Sequence, residues 1–195
     1  MPVRFLPLSF ALGAILTSAA PALAADNTLY DAPPPEDAAF LRWIEPGPAP
    51  EIYGIAALGA EGDVFHPVSA AATQGARAGV FYTAARDATG ALVVIEEPAR
   101  PDRTKVQLTL VNLSGVPARL EVVGQDMVVV DDTATEAAAA RAVNPVAVAL
   151  SVVTASGEAL GQFEVSLRRG QNLTFVARAD RAELIANRFG PILAE

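Results

Sequence analysis

The chain reads as an all-β protein, and three observations predict it. In Arg103 to Leu113, Arg103, Lys105, Gln107 and Thr109 alternate with Val106, Leu108 and Leu110, the period of a half-buried strand. Strand-like runs then recur at 117–123, 126–130, 145–154, 159–167 and 171–178, parted by turns at Gly115, Gly124, Ser156-Gly157 and Arg169-Gly170. Short strands so spaced predict a sandwich or a barrel. Ahead of them, Glu96 to Asp102 carries Pro98 and Pro101 among charges. That composition predicts a linker, placed at 98–102.

The elements follow in chain order. Residues 1–24 have the build of a secretory signal: Arg4, an apolar run from Leu6 to Leu16, then small residues at Ala22-Leu23-Ala24. A mature chain starting at Ala25 or Asp26 would not span a membrane, since the apolar run is shorter than the ~20 residues a spanning helix needs. Pro33-Pro34-Pro35 favours an extended lead-in. Ala38 to Ile44 is a plausible first strand, broken by Pro46, Gly47, Pro48 and Pro50. Residues 51–58 read as a second strand, and the Gly-, Ala- and Ser-rich stretch 59–79 takes no assignment. Strands at 80–84 and 91–95 are joined by Asp87-Ala88-Thr89-Gly90, a hairpin turn sequence. Thr133 to Arg141 stays open between a helical turn and a strand edge. Its four alanines and the Thr133/Glu136 spacing favour helix, but it lies between strong strands. Ala182 to Asn187 reads as a last strand or a helix end.

The net charge is −8, and −9 once residues 1–24 and Arg4 are removed. So acidic a chain suits neither nucleic acid nor an anionic membrane face, which attract basic patches. There is no Cys, so stability rests on packed cores.

Residues that could carry chemistry are few. His66 is the only His and would have to serve any Ser–His or Cys–His mechanism; a surface or structural histidine is the plainer reading. No Gly-x-Ser-x-Gly elbow, phosphate cradle or dinucleotide fingerprint occurs. One His and no Cys leave no closed zinc site. Glu96-Glu97 and Asp131-Asp132 could lend oxygens to calcium, against the reading of solvated acidic turns. Neither a catalytic residue nor a cofactor is expected. The sequons at Asn112 and Asn172 fall in strands and read as chance. Trp43, beside Arg42 and Glu45, suits either a sugar platform or a core. Basic candidates for a binding surface are Arg168-Arg169 and the set Arg178, Arg181 and Arg188. Arg42, Trp43, Arg168 and Arg169 are the residues expected on an interaction surface.

Several short elements together resemble the AlgF family of periplasmic alginate O-acetylation proteins. They are Leu29-Tyr30, Phe40-Leu41-Arg42, Tyr82-Thr83, Glu96-Glu97-Pro98, Val111-Asn112-Leu113-Ser114, Asn144-Pro145-Val146 and Leu167-Arg168-Arg169-Gly170. The chain departs from the family in its acidity, in Trp43-Ile44-Glu45-Pro46 and in its Ala-rich 133–142 stretch. The resemblance implies two small β-sandwich domains joined by a short linker, here 26–97 and 103–195 about 98–102. It implies a non-catalytic adaptor in the periplasm, whose partners are polysaccharide O-acetyltransferases, with weak polysaccharide contact. A polysaccharide-binding module is the alternative, and an acetyltransferase in its own right is a third reading.

Overall fold

The structure, a computed structural model, describes residues 33–191 and 193, except 57, 60, 101 and 103. The segment expected as a signal, 1–24, lies outside the described residues. The rest is all-β. The strands are β1 (Ala38–Trp43), β2 (Val64–Ser69), β3 (Phe81–Arg86), β4 (Leu92–Glu97), β5 (Val106–Asn112), β6 (Ala118–Val122) and β7 (Val128–Thr133). They continue with β8 (Ala137–Val143), β9 (Ala147–Thr154), β10 (Ala159–Ser166), β11 (Asn172–Ala177), β12 (Ala182–Ala186) and β13 (Arg188–Phe189).

Three sheets result. The first runs β13-β2-β1-β3-β4, the second β10-β9-β6-β7 and the third β12-β11-β5-β8. Most neighbours are antiparallel; β1/β3, β5/β11 and β2/β13 are parallel. The last of these brings Arg188 and Phe189 back to Val64 and Phe65, at the edge of the first sheet.

The period of two assigns each side chain to a layer. On β5, Val106, Leu108 and Leu110 join Leu120, Leu150, Val152 and Phe175 in a core between the second and third sheets. On the other face of the third sheet, Val111 and Val176 pack with Ile44, Ala85 and Ile95 of the first. The third sheet is therefore the middle layer. That corrects the half-buried reading of β5: all seven residues are buried, Gln107 and Thr109 included, because the first sheet covers the expected solvent face. The outer side of the first sheet has its own core of Ala39, Leu41, Trp43, Ile52, Val68, Tyr82 and Ala84.

Local chemistry explains several joins. Asp87 Oδ1 accepts from the Thr89 and Ala91 amides, and Gly90 adopts φ +88°, closing the β3–β4 hairpin as its sequence predicts. The Ala-rich segment is a strand, paired with β5 from Val106↔Val143 to Asn112↔Ala137. Its capping-box spacing goes unused: Glu136 sits at φ 54° and its amide donates to Asn112 O. Asn112 is itself buried, its Nδ2 donating to Val116 O and Thr133 O. The strand expected at 51–58 is only a bridge between Ile52 and Ile55. A strand does form where none was assigned. β2 contains Pro67, which is tolerated because β13 pairs with β2 only at Val64 and Phe65.

Candidate functional site

The alternation that divides the layers also drives polar side chains into the seam between the first and third sheets. Arg42 of β1, Thr83 of β3, Glu97 of β4 and Thr174 of β11 all meet there, each fully or almost fully buried. Arg42 Nη2 donates to Glu97 Oε1 at 2.6 Å and to Thr174 Oγ1 at 3.0 Å. Its Nε donates to Thr83 Oγ1 at 2.7 Å, and its Nη1 to Asn187 Oδ1 at 2.7 Å. The Thr83 hydroxyl donates to Glu97 Oε1 at 2.5 Å, and Arg100 Nη2 to Glu97 Oε2 at 3.2 Å. Arg42 also lies 4.3 Å from the centre of the Phe65 ring, within cation–π range.

Burial pushes the Glu97 carboxyl up, but Arg42, Arg100 and the Thr83 hydroxyl more than offset it. The group is held below the ordinary glutamate value. Burial also pushes Arg42 below its ordinary value, yet a guanidinium starts so high that it stays charged. With both carboxylate oxygens engaged and no solvent exposure, Glu97 is a structural anion and not a proton acceptor for a substrate.

Beside this network lies a cleft of about 780 Å³, walled by Phe40, Phe81 and Phe189, with Arg100, Asp102 and Lys105 among its other lining residues. Phe40 and Phe81 stack at 4.5 Å, and Phe189 meets them edge-on at 5.8 and 6.0 Å. The Arg100 guanidinium sits 4.2 Å from the Phe81 ring centre and 5.0 Å from that of Phe65. Its Nη2 is spent on Glu97, while Nε and Nη1 are buried without a partner among the described residues.

A family model described as "Alginate O-acetyl transferase AlgF" matches residues 11–174. The chain belongs to the AlgF family. A solved structure of the C-terminal domain of AlgF from P. aeruginosa is similar at 24% identity, covering 44% of this chain and 99% of that one, with a TM-score of 0.38. No curated protein matches the chain.

The residues marked in the AlgF-family sequence fall in different environments. Arg168 and Arg169 are exposed at the β10–β11 turn, beside Gly170 of the cleft. Arg42 is enclosed in the seam. Trp43, 2% exposed, points to the opposite side of β1 and packs in the outer core. Alternation along one strand separates these two neighbours, and both side chains are buried. His66 is buried with both ring nitrogens unpaired among the described residues. Glu97, half of an acid pair read as a solvated turn, is the buried anion, whereas Asp131 and Asp132 are exposed. Among the described residues no group of three or more acidic or histidine side chains could hold a metal. Arg178 pairs with Glu45 and Glu183, Arg181 with Glu183, and Arg188 with Asp63, so these cations form no open basic groove. The local sequence signals neither Arg100 nor Phe189 as part of the cleft: Arg100 lies between Pro98 and Pro101, and nothing local to Arg188-Phe189 signals a return to β2.

Proposed function

We propose that the protein is a non-catalytic periplasmic adaptor in the O-acetylation of alginate or a related exopolysaccharide, binding the acetyltransferase components. The family match over residues 11–174 carries the reading. It is supported by the burial of His66, whose ring nitrogens have no partner among the described residues, and by the engagement of both Glu97 carboxylate oxygens with Arg42, Thr83 and Arg100. In this reading residues 1–24 direct export. Two β-sandwich-like domains, 26–97 and 103–195, flank the linker at 98–102, and Arg168 and Arg169 belong to the binding surface.

Deleting the gene should leave polymer synthesis running and remove O-acetyl groups. A His66→Ala chain should restore acetylation; a loss of about 100-fold or more at normal protein level is the size expected for a missing general base and would make the protein an enzyme. In calorimetry the mature chain should bind a partner acetyltransferase. Binding to de-acetylated polymer at about −8 kcal/mol or tighter, with no acetyltransferase bound, would replace the adaptor by a polysaccharide-binding module.

A further inference from the structure

We infer that the β13 segment is an acid-released strap: proton uptake at His66 frees Arg188 to Gly190 from β2 and opens the Phe189 wall of the cleft. This adds a form of control and does not depend on the adaptor reading.

Two features meet at His66. The first is the way it is covered. His66 is 7% exposed, and neither ring nitrogen has a partner among the described residues. It lies opposite Leu41 of β1, on the outer face of the first sheet. Glycine backbone closes over both nitrogens. A Cβ at Gly190 would lie 2.9 Å from Nδ1 and Cε1, and a Cβ at Gly59 would lie 3.2 Å from Nε2. A neutral ring under this cover leaves one N–H unmatched. An imidazolium would leave two unmatched donors and a buried charge, which is far costlier. The charged ring is stable where water reaches it, and water reaches Nδ1 when Gly190 lifts.

The second feature is how lightly the strap is held. β13 has two residues, both exposed, and pairs with β2 at Val64 and Phe65. The Arg188 amide donates to Asp63 O at 2.8 Å and the Gly190 amide to Phe65 O at 2.9 Å. Phe189, between them, is a wall of the cleft. The charged groups on the elements around His66 are Arg42 of β1, Glu61 and Asp63 ahead of β2, and Arg188 of β13. Arg42 points to the opposite face, into the seam. The other three pair with one another at the surface. None of them bonds the ring, so no carboxylate holds a charged ring in place. The outer core adds the phenols of Tyr53 and Tyr82, which bring no negative charge in acid. Arg188 holds the Asp63 carboxyl below the ordinary aspartate value, so that pair keeps its charges where an imidazole titrates.

Acid therefore favours opening. A hydrated ring takes up its proton as pH falls through about 6.5, and the closed strap opposes that proton. Closure is at full strength above this pH and weakens by up to about tenfold per pH unit below it. Glu97, held below its ordinary value of 4.5, responds in a lower window.

The test uses the untagged mature chain, in which His66 is the only histidine. Amide hydrogen exchange is followed by NMR and expressed as protection against the free-peptide rate at each pH. From about pH 7.5 to 5.5, the Arg188 and Gly190 amides should lose about tenfold in protection. The Leu113 amide, which donates to Ala177 O, should keep its own. His66→Leu should hold all three flat. The ring signal needs no variant: its charged form should appear only as Arg188 and Gly190 lose protection. Flat protection in the native chain, an equal loss in His66→Leu, or a ring that charges while Arg188 and Gly190 stay protected would each overturn the inference. Should His66→Leu not fold, the ring signal and the protection of the native chain decide. None of these readouts involves acetylation, so a failed strap and a failed adaptor reading give separate results.

Discussion

At the scale of the residue, Arg42 decides most. It spans two sheets with four hydrogen bonds, and its partner Glu97 has no exposed surface. Removing Glu97 leaves both Arg42 and Arg100 without their anion, and removing Arg42 leaves Glu97 with Arg100 alone. Arg42→Met or Glu97→Leu alone should cost about 3–5 kcal/mol, and the double replacement less than the sum of the two, because Arg42 no longer stands without its anion and only Arg100 keeps a lone charge. Urea unfolding of the four chains measures the cycle. Single costs that add in the double variant would mean that the pair contributes little beyond its packing. Acid gives a second test. Glu97 is held below its ordinary value of 4.5 in the fold, so the unfolded chain binds its proton first as pH falls. The stability from this group is fully present above that ordinary value and is lost as pH falls through the lowered one. Thermal melts should therefore fall steeply in acid for the native chain and less steeply for Glu97→Gln.

At the scale of the element, strand β8 shows what small side chains do. Ala138 packs into the seam core and Ala139 into the core between the second and third sheets. Alanines let a middle-layer strand fit between two sheets, where their helix propensity is overridden by pairing with β5. Ala138→Leu should overfill the seam and cost about 1–3 kcal/mol in chemical denaturation. The elements legible in the sequence were those whose signal is local. Asp87 to Gly90 announces its hairpin, and the alternation of β5 announces a strand. Alternation cannot report that the polar face of β5 is covered, because the covering sheet is built from residues 38–97 and 188–189. β2 was hidden by Pro67 and by Gly- and Ala-rich flanks. The site was less legible still: Arg42 lies 55 residues from Glu97, 132 from Thr174 and 145 from Asn187, and no periodicity links positions so far apart.

At the scale of the whole molecule, the core between the second and third sheets is self-sufficient and the first sheet is not. The former is built entirely from residues between Val106 and Leu184. The first sheet needs β13 to pair its β2 edge, and its buried Arg42 needs Thr174 and Asn187. A chain of residues 103–195 should therefore show dispersed NMR amide signals alone, while 26–97 alone should not. A folded 26–97 fragment would mean that the seam contributes little to the first sheet. Within the 103–195 core, Phe175, fully buried and 5.5 Å from the Phe163 ring, should cost about 3–5 kcal/mol when cut to Ala.

The return of β13 to β2 also sets a timetable. A ribosome adds about 5–20 residues per second, and 145 positions separate Arg42 from Asn187. The nascent chain therefore spends roughly 7–30 s with Arg42 lacking Asn187. Val64 and Phe65 wait in the same way for Arg188 and Phe189, and a strand-forming segment without its neighbour is a surface on which stray chains add. Whatever shields a newborn chain from its neighbours is needed most by the half made first, and only until Arg188 and Phe189 arrive.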